Sequence, residues 1–248
     1  MSGAPPPLSV IVPAFNEAAR LSPSLERMRA FLESSGRPYE VLVVDDGSQD
    51  QTAALTVEAA SSWPHLRLIS LPRNQGKGAA VRAGMLAASG ARRLFTDADL
   101  STPLEELAKL ERELDCGAGV AIGSRALPAS RVERHQPLHR ELMGKSYNRL
   151  LRLLVLPGLR DTQCGFKLFT AEAAELCFSE LECLRFGFDA EVLLRARLGG
   201  IPIAEVGVTW YNAVGTTVSS LSDGGQMLID LWSLRRRRSA PRPLAERS

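Results

Sequence analysis

Arg92-Arg93-Leu94-Phe95-Thr96-Asp97-Ala98-Asp99-Leu100-Ser101 is the stretch on which the reading of this chain turns. A short apolar strand ends in two carboxylates one residue apart. In extended backbone, residues i and i+2 share a side, so Asp97 and Asp99 can converge on one point. Two such carboxylates repel unless a cation sits between them. Oxygen-only ligands suit a hard divalent ion, Mg²⁺ or Mn²⁺, of the kind that also holds a substrate diphosphate. A bare Asp-x-Asp also fits a surface turn that caps the following helix, so the neighbouring segments must decide.

Upstream, Leu8 to Pro13 reads as a buried first strand, followed by a helix from Ala18 to Ser34 with Gly36 as its stop. Tyr39 to Val44 is a second strand, and a helix runs from near Asp50 to Trp63. Leu66 to Leu71 is a third strand, with a helix from about Ala79 to Ala88 before the Arg93 strand. This alternation is that of an α/β protein with a mostly parallel central sheet flanked by helices. In open α/β sheets ligands bind at the carboxyl ends of strands. Glu17, Asp46, Lys77, Asp97 and Asp99 each fall at such an end. That coincidence decides against the surface turn. No Gly-x-Gly-x-x-Gly follows the first strand, which argues against a dinucleotide-binding enzyme.

Downstream, an amphipathic helix follows Pro103, and the strand from Gly119 to Gly123 leads into Ser124-Arg125. Arg125 therefore lies on the same sheet edge as the aspartates, and arginine grips a phosphate bidentately. Residues 126–140 are basic and irregular, with Arg131, Arg134, His135, His139 and Arg140. Leu142 to Leu156 has the pattern of a basic amphipathic helix, suited either to a membrane interface or to a core with a solvated basic face. Asp161 to Phe169 is a loop entering a strand; helices follow from Ala171 and from Phe186 to Gly199. Ile203 to Trp210 alternates as a half-buried strand, 212–225 is a Gly/Ser/Thr-rich loop, and Gln226 to Leu234 is a last helix.

The 248 residues, 45% hydrophobic and 23% charged, suit one large globular domain. A net charge of +2 makes no global electrostatic case for nucleic acid. Cys116, Cys164, Cys177 and Cys183 lack metal-ligand spacing, so reduced thiols and a cytoplasmic setting are expected. Residues 1–7 read as a flexible leader and 235–248 as a basic tail opening on Arg235-Arg236-Arg237-Arg238. No apolar run reaches the ~18 residues that cross a bilayer, so a membrane would be met from its surface.

Val12-Pro13-Ala14-Phe15-Asn16-Glu17, Val44-Asp45-Asp46-Gly47-Ser48, Asn74-Gln75-Gly76-Lys77-Gly78 and Asp97-Ala98-Asp99 together resemble the family 2 glycosyltransferases of the GT-A fold. Gly123-Ser124-Arg125 and Asp161-Thr162-Gln163-Cys164-Gly165-Phe166-Lys167 narrow the resemblance to the polyprenyl-phosphate branch, that of the dolichyl-phosphate β-glucosyltransferases. It spans residues 8–234, with 8–125 as the nucleotide-sugar half and 126–234 as the acceptor half. It implies glucose transfer from UDP-glucose to a polyprenyl phosphate on the cytoplasmic face of a membrane. Pro13, Asn16, Glu17, Asp46 and Lys77 would serve the nucleotide sugar, and Asp97 and Asp99 the metal. Arg125 and Arg140 would meet the acceptor phosphate. Asp189 falls where many relatives hold a catalytic aspartate, though it also suits helix capping. Eukaryotic members of this branch carry an N-terminal anchor; none is read here, so either the acceptor differs or the amphipathic helix and Arg tail replace the anchor. Alternatives are a GDP-mannose enzyme of the mannose-synthase type, a transferase with a hydroxyl acceptor in polysaccharide or cell-envelope synthesis, a sugar nucleotidyltransferase, and a non-catalytic relative.

Overall fold

The computed structural model describes residues 7–133, 148–185, 187–211 and 234. In chain order the elements begin with β1 (Leu8–Ala14), α1 (Ala18–Ser34), β2 (Tyr39–Asp45) and α2 (Thr52–Ser62). Next come β3 (Leu66–Ser70), α3 (Lys77–Ala87), β4 (Arg92–Thr96), α4 (Leu107–Asp115), β5 (Val120–Ser124) and β6 (Arg131–Val132). Helix α5 is described over 148–154. The rest are β7 (Phe166–Thr170), α6 (Ala171–Phe178), α7 (Phe188–Leu198), β8 (Ile203–Gly207) and β9 (Thr209–Trp210).

Seven strands form one sheet in the order β3-β2-β1-β4-β7-β5-β8. Strands β1 to β4 are parallel, and β5 is parallel to β8. Strand β7 runs antiparallel between β4 and β5. The sheet is therefore mixed, though mostly parallel.

Both faces of the sheet are covered, which is why Val10 to Ala14 of β1 and Val41 to Val44 of β2 are apolar without interruption. Val10, Val12, Val41, Val43 and Leu94 face one layer, with Leu21, Leu25, Met28 and Leu32 of α1 and Leu107, Leu110 and Leu114 of α4. Ile11, Leu42, Val44 and Phe95 face the other, with Val81 and Met85 of α3, Phe178 of α6 and Leu193 of α7. The spacing of the four α1 residues gives the helix a single apolar stripe.

Two expectations are corrected. Ile203 to Trp210 is not one strand. The chain leaves the main sheet at Val208, whose N–H goes to the Ser124 carbonyl (3.2 Å) while its own carbonyl takes the Arg131 N–H (3.1 Å). Strand β9 then pairs with β6 in a separate two-stranded sheet. Helix α3 begins at Lys77 rather than near Ala79, so Lys77 belongs to the first helical turn. The expected segments 142–147 and 226–233, the loop 212–225, the leader 1–6 and the Arg tail lie outside the described residues, as does Arg140.

Candidate active site

The carboxyl ends of β1, β2, β4 and β5 form one edge, and β7, running the other way, starts there too. At the end of β1, Pro13 lies beyond the last β1–β4 pair, Ile11 with Phe95, so that ladder needs no N–H from it. Asn16 takes φ 55°, with its N–H on Ser48 Oγ (2.9 Å) and its Oδ1 accepting from the Gln49 N–H (2.9 Å). The open amides at the start of α1 are satisfied by the next loop. Glu17 N–H donates to Thr52 Oγ1 (2.8 Å) and Ala18 N–H to Asp50 Oδ2 (3.1 Å). Glu17 holds the cap position, but its carboxylate turns to Arg20, whose Nη2 donates to Oε1 at 2.9 Å and whose Nε donates to Oε2.

At the end of β2, Asp46 is buried and accepts from the Gln75 and Gly76 amides, both at 2.8 Å. Burial pushes its carboxyl up, against the pull of those amides. The clamped loop is pressed from the far side as well. Gly76 sits at φ 108°, where a Cβ would lie 2.5 Å from the Leu184 carbonyl oxygen, so only glycine fits. The same oxygen accepts from the Ala79 N–H (3.1 Å) in the first turn of α3. The stretch supplying it is held by the buried Glu191, which accepts from the Cys183 amide (2.7 Å) and from Arg195 Nε (2.7 Å).

Lys77, fixed between those supports, reaches Asp97 Oδ1 at 2.6 Å and lies 5.2 Å over the Phe95 ring. Burial works against its charge, but Asp97, Asp189 and Asp99 hold the ammonium above its ordinary value. Strand β4 ends at Thr96, so the pleat does not aim the two aspartates. A turn does: the Leu100 N–H bonds back to the Asp97 carbonyl (3.1 Å) and Leu100 has φ 48°. Asp99 Oδ1 accepts from the Ser101 amide (2.9 Å). Asp97 lies against Gly165, whose carbonyl takes the Asp97 N–H (3.2 Å); a Cβ on Gly165 would overlap the Asp97 carboxylate.

On the β5 side, Arg125 gives its backbone N–H (2.9 Å), Nε (2.7 Å) and Nη2 (2.9 Å) to the buried Asp161, and its guanidinium lies 5.4 Å from the Trp210 ring centre. The fork expected to grip a phosphate is thus turned to Asp161; its Nη1 edge has no bond among the described residues. Burial favours the neutral acid at Asp161, but Arg125 outweighs it and holds the carboxyl below its usual range. Glu205 of β8 takes the Arg160 and Asp161 amides (2.7 to 3.0 Å), and Asn148 of α5 takes the Thr162 hydroxyl (3.0 Å).

Asp189 is not the N-cap of α7, a position held by Gly187. Its carboxylate is buried against Lys167 Nζ, which also donates to the Cys164 carbonyl (2.6 Å) and lies 5.6 Å from the Phe95 ring centre. Burial pushes Asp189 up, while Lys167 and Lys77 pull it back. Cys164 is buried and burial pushes its thiol up to about 11, the state of a packing residue rather than a nucleophile.

Glu17, Asp46, Lys77, Asp97, Asp99, Arg125 and Asp189 thus stand on elements that meet at one edge. The sequence reading missed Arg20 and the two buried pairs. A lysine inside the apolar run Cys164 to Phe169 was the available signal, because a charge in a buried strand demands a partner.

Residues 9–178 match the glycosyl transferase family 2. The human dolichyl-phosphate beta-glucosyltransferase is 37% identical over 243 residues, 93% of this chain and 75% of the human protein. The Drosophila melanogaster protein of that name is 40% identical over 92% of this chain and 74% of its own. Glucosyl-3-phosphoglycerate synthase from Mycobacterium tuberculosis, in a complex with Mn²⁺, UDP and glucosyl-3-phosphoglycerate, superposes with a TM-score of 0.71 at 21% identity, over 93% of this chain and 80% of that one. That likeness shows the fold, GT-A. On the family match and the identity to these relatives, the chain belongs to glycosyl transferase family 2.

Proposed function

We propose that this glycosyltransferase moves glucose from UDP-glucose to a polyprenyl phosphate, with inversion at the anomeric carbon. The observation that carries the reading is the state of Asp189. It is the carboxylate placed by resemblance as the base, yet it is buried and spent on Lys167. An alcohol acceptor needs a positioned base to remove its proton. A phosphate monoester, with a second pKa of about 6, is mostly dianionic at pH 7 and needs none. The relatives named for dolichyl phosphate support the same acceptor class.

In this reading an acceptor phosphate oxygen forms the new bond to the anomeric carbon as the bond from that carbon to the diphosphate breaks, and UDP leaves. Lys77 faces the charge that develops on the diphosphate, and Pro13, Asn16, Glu17 and Asp46 frame the nucleotide. Arg125 presents its Nη1 edge to the acceptor, with its fork fixed by Asp161. Arg140 is a second candidate for that phosphate. Asp97 and Asp99 fit a divalent ion, Mg²⁺ or Mn²⁺. Among the described residues no group of three His, Cys, Asp or Glu side chains could hold a metal, so the substrate diphosphate would have to complete the ion's coordination. When bound, it supplies Lewis-acid neutralisation of the leaving diphosphate.

No helix among the described residues is long and apolar enough to cross a membrane. Helix α5 exposes Leu150 (39%) and Leu153 (64%) beside the exposed Arg149 and Arg152, a face suited to an anionic bilayer surface. Through Asn148 the same helix holds the loop of Asp161, so the enzyme would meet the lipid's phosphate from the membrane plane, at the cytoplasmic face.

The test is incubation of the chain with labelled UDP-glucose or GDP-mannose, a polyprenyl phosphate and Mg²⁺ or Mn²⁺. Label from UDP-glucose should pass into the lipid fraction. Transfer from GDP-mannose alone, or transfer only to hydroxyl acceptors, would overturn the reading.

A further inference from the structure

Each helical layer brings a cation to the carboxyl-end edge of the sheet: Lys77 at the start of α3 and Arg20 at the start of α1. Lys77 touches Asp97 directly. Arg20 is committed differently. Its Nε and Nη2 grip Glu17, while its Nη1 is sealed from solvent with no hydrogen-bond partner among the described residues. The Arg20–Glu17 pair is only partly exposed, with 25% and 15% of the two side chains open to solvent. Against burial, Glu17 holds the guanidinium above its ordinary value, and the charges of Asp99 and then Asp97 act in the same sense. Arg20 thus lies within the field of the two carboxylates assigned to the metal and diphosphate.

Two physical points follow. Glu17, Asp97 and Asp99 are three like charges at one edge. Without a counter-ion on its own side, Glu17 would be driven outward, and its resting place is set by the planar two-point grip that only a guanidinium offers. A buried N–H group left unbonded is rare in a folded protein and costs stability unless something completes it.

We infer that Arg20 is a positioning residue of the donor pocket. Its two-point grip fixes the Glu17 carboxylate, which in the donor-site reading frames the nucleotide. The inference rests on the donor-site reading above and adds a residue to it.

The experiment is calorimetric titration of UDP, with Mn²⁺ present, into the unaltered chain, Arg20→Met, Arg20→Lys, Glu17→Gln and the double variant Glu17→Gln/Arg20→Met. Arg20→Met should weaken UDP by about 10- to 100-fold, the scale of removing a group that orients a ligand-holding side chain. Arg20→Lys should recover only part of that, because a lysine restores the charge but not the fork. The double variant should lose clearly less than the product of the two single losses, since both act through one carboxylate. A merely structural ion pair would lower the melting temperature and leave UDP affinity unmoved, and that result overturns the inference. Losses that multiply independently overturn the link to Glu17. Should Arg20→Met fail to fold, full UDP affinity in the folded Arg20→Lys variant would overturn the need for a fork. If the unaltered chain binds no nucleoside diphosphate, the donor-site reading falls and takes this one with it. If it binds one and Arg20→Met leaves that binding intact, only the role of Arg20 falls.

Discussion

On the two sides of Asp97, buried carboxylates are held by different means. Toward β2, Asp46 is held by backbone amides, those of Gln75 and Gly76. Toward β5 and β7, Asp161 and Asp189 are answered by side-chain cations, Arg125 and Lys167. Amides are fixed by the loop that carries them and bring no net charge. That side therefore keeps a negative potential ready for a cation and its diphosphate. The ion pairs on the other side are neutral units within the fold, and what they offer an acceptor is the edge of a guanidinium already locked in place.

The contrast can be broken at several points. The largest effect is expected at the fully buried pair. Lys167→Met would strand the Asp189 charge and cost about 3 to 5 kcal/mol in urea unfolding, while Lys167→Met with Asp189→Leu should recover most of that. A cost below ~1 kcal/mol for the single change would mean the pair does not hold this side together.

Next is Asp99→Asn, which should weaken metal-dependent UDP binding by about 10²-fold, the scale of losing one preorganised charge-stabilising group. Unchanged UDP affinity with Mn²⁺ in calorimetry would remove Asp99 from the site. Gly165→Ala sharpens the same point without touching a charge. Its methyl would overlap the carboxylate of the part-exposed Asp97 side chain, which must swing aside. Mn²⁺ affinity should fall with it.

Acid separates Asp161 from Asp46 by sign. Arg125 holds Asp161 below its ordinary range, so the stability this gives is present above about pH 4 and is lost as pH falls through the lower folded value. Burial holds Asp46 above that range, so its contribution improves as pH falls through the raised value. Hydrogen exchange at mild acid should show the 159–165 loop opening before the 73–76 loop; the reverse order would contradict the assignment.

Much of the first side was legible in the sequence. The short Val- and Ile-rich runs of β1 and β2, bounded by turn residues, read as buried strands, and the polar ends of β1, β2 and β4 pointed to one edge. The direction of β7 was not legible, because apolar alternation is the same whichever way a strand runs. Nor was the split at Val208, which depends on hydrogen bonds to Ser124 and Arg131, more than 70 residues earlier in the chain. The Lys167–Asp189 pair joins residues 22 apart, a partnership that only the packing of α7 on the sheet creates. Arg20 went unread because an arginine in a helix's first turn looks like any solvated one; its grip on Glu17 exists only in three dimensions.

The smallest effect is the most direct test of the central claim, that the acceptor arrives already ionised and no side chain serves as base. It is the turnover of Asp189→Asn with UDP-glucose and a polyprenyl phosphate, measured across pH. Asparagine still offers Lys167 an oxygen, though stranding the ammonium lowers stability, so turnover per folded molecule should stay within about tenfold of the unaltered chain if no general base is lost. Both proteins should lose activity below about pH 6 as the acceptor phosphate protonates. An Asp189→Asn variant that folds and binds UDP normally, yet is as inactive as Asp99→Asn, would make Asp189 a base and the acceptor a hydroxyl.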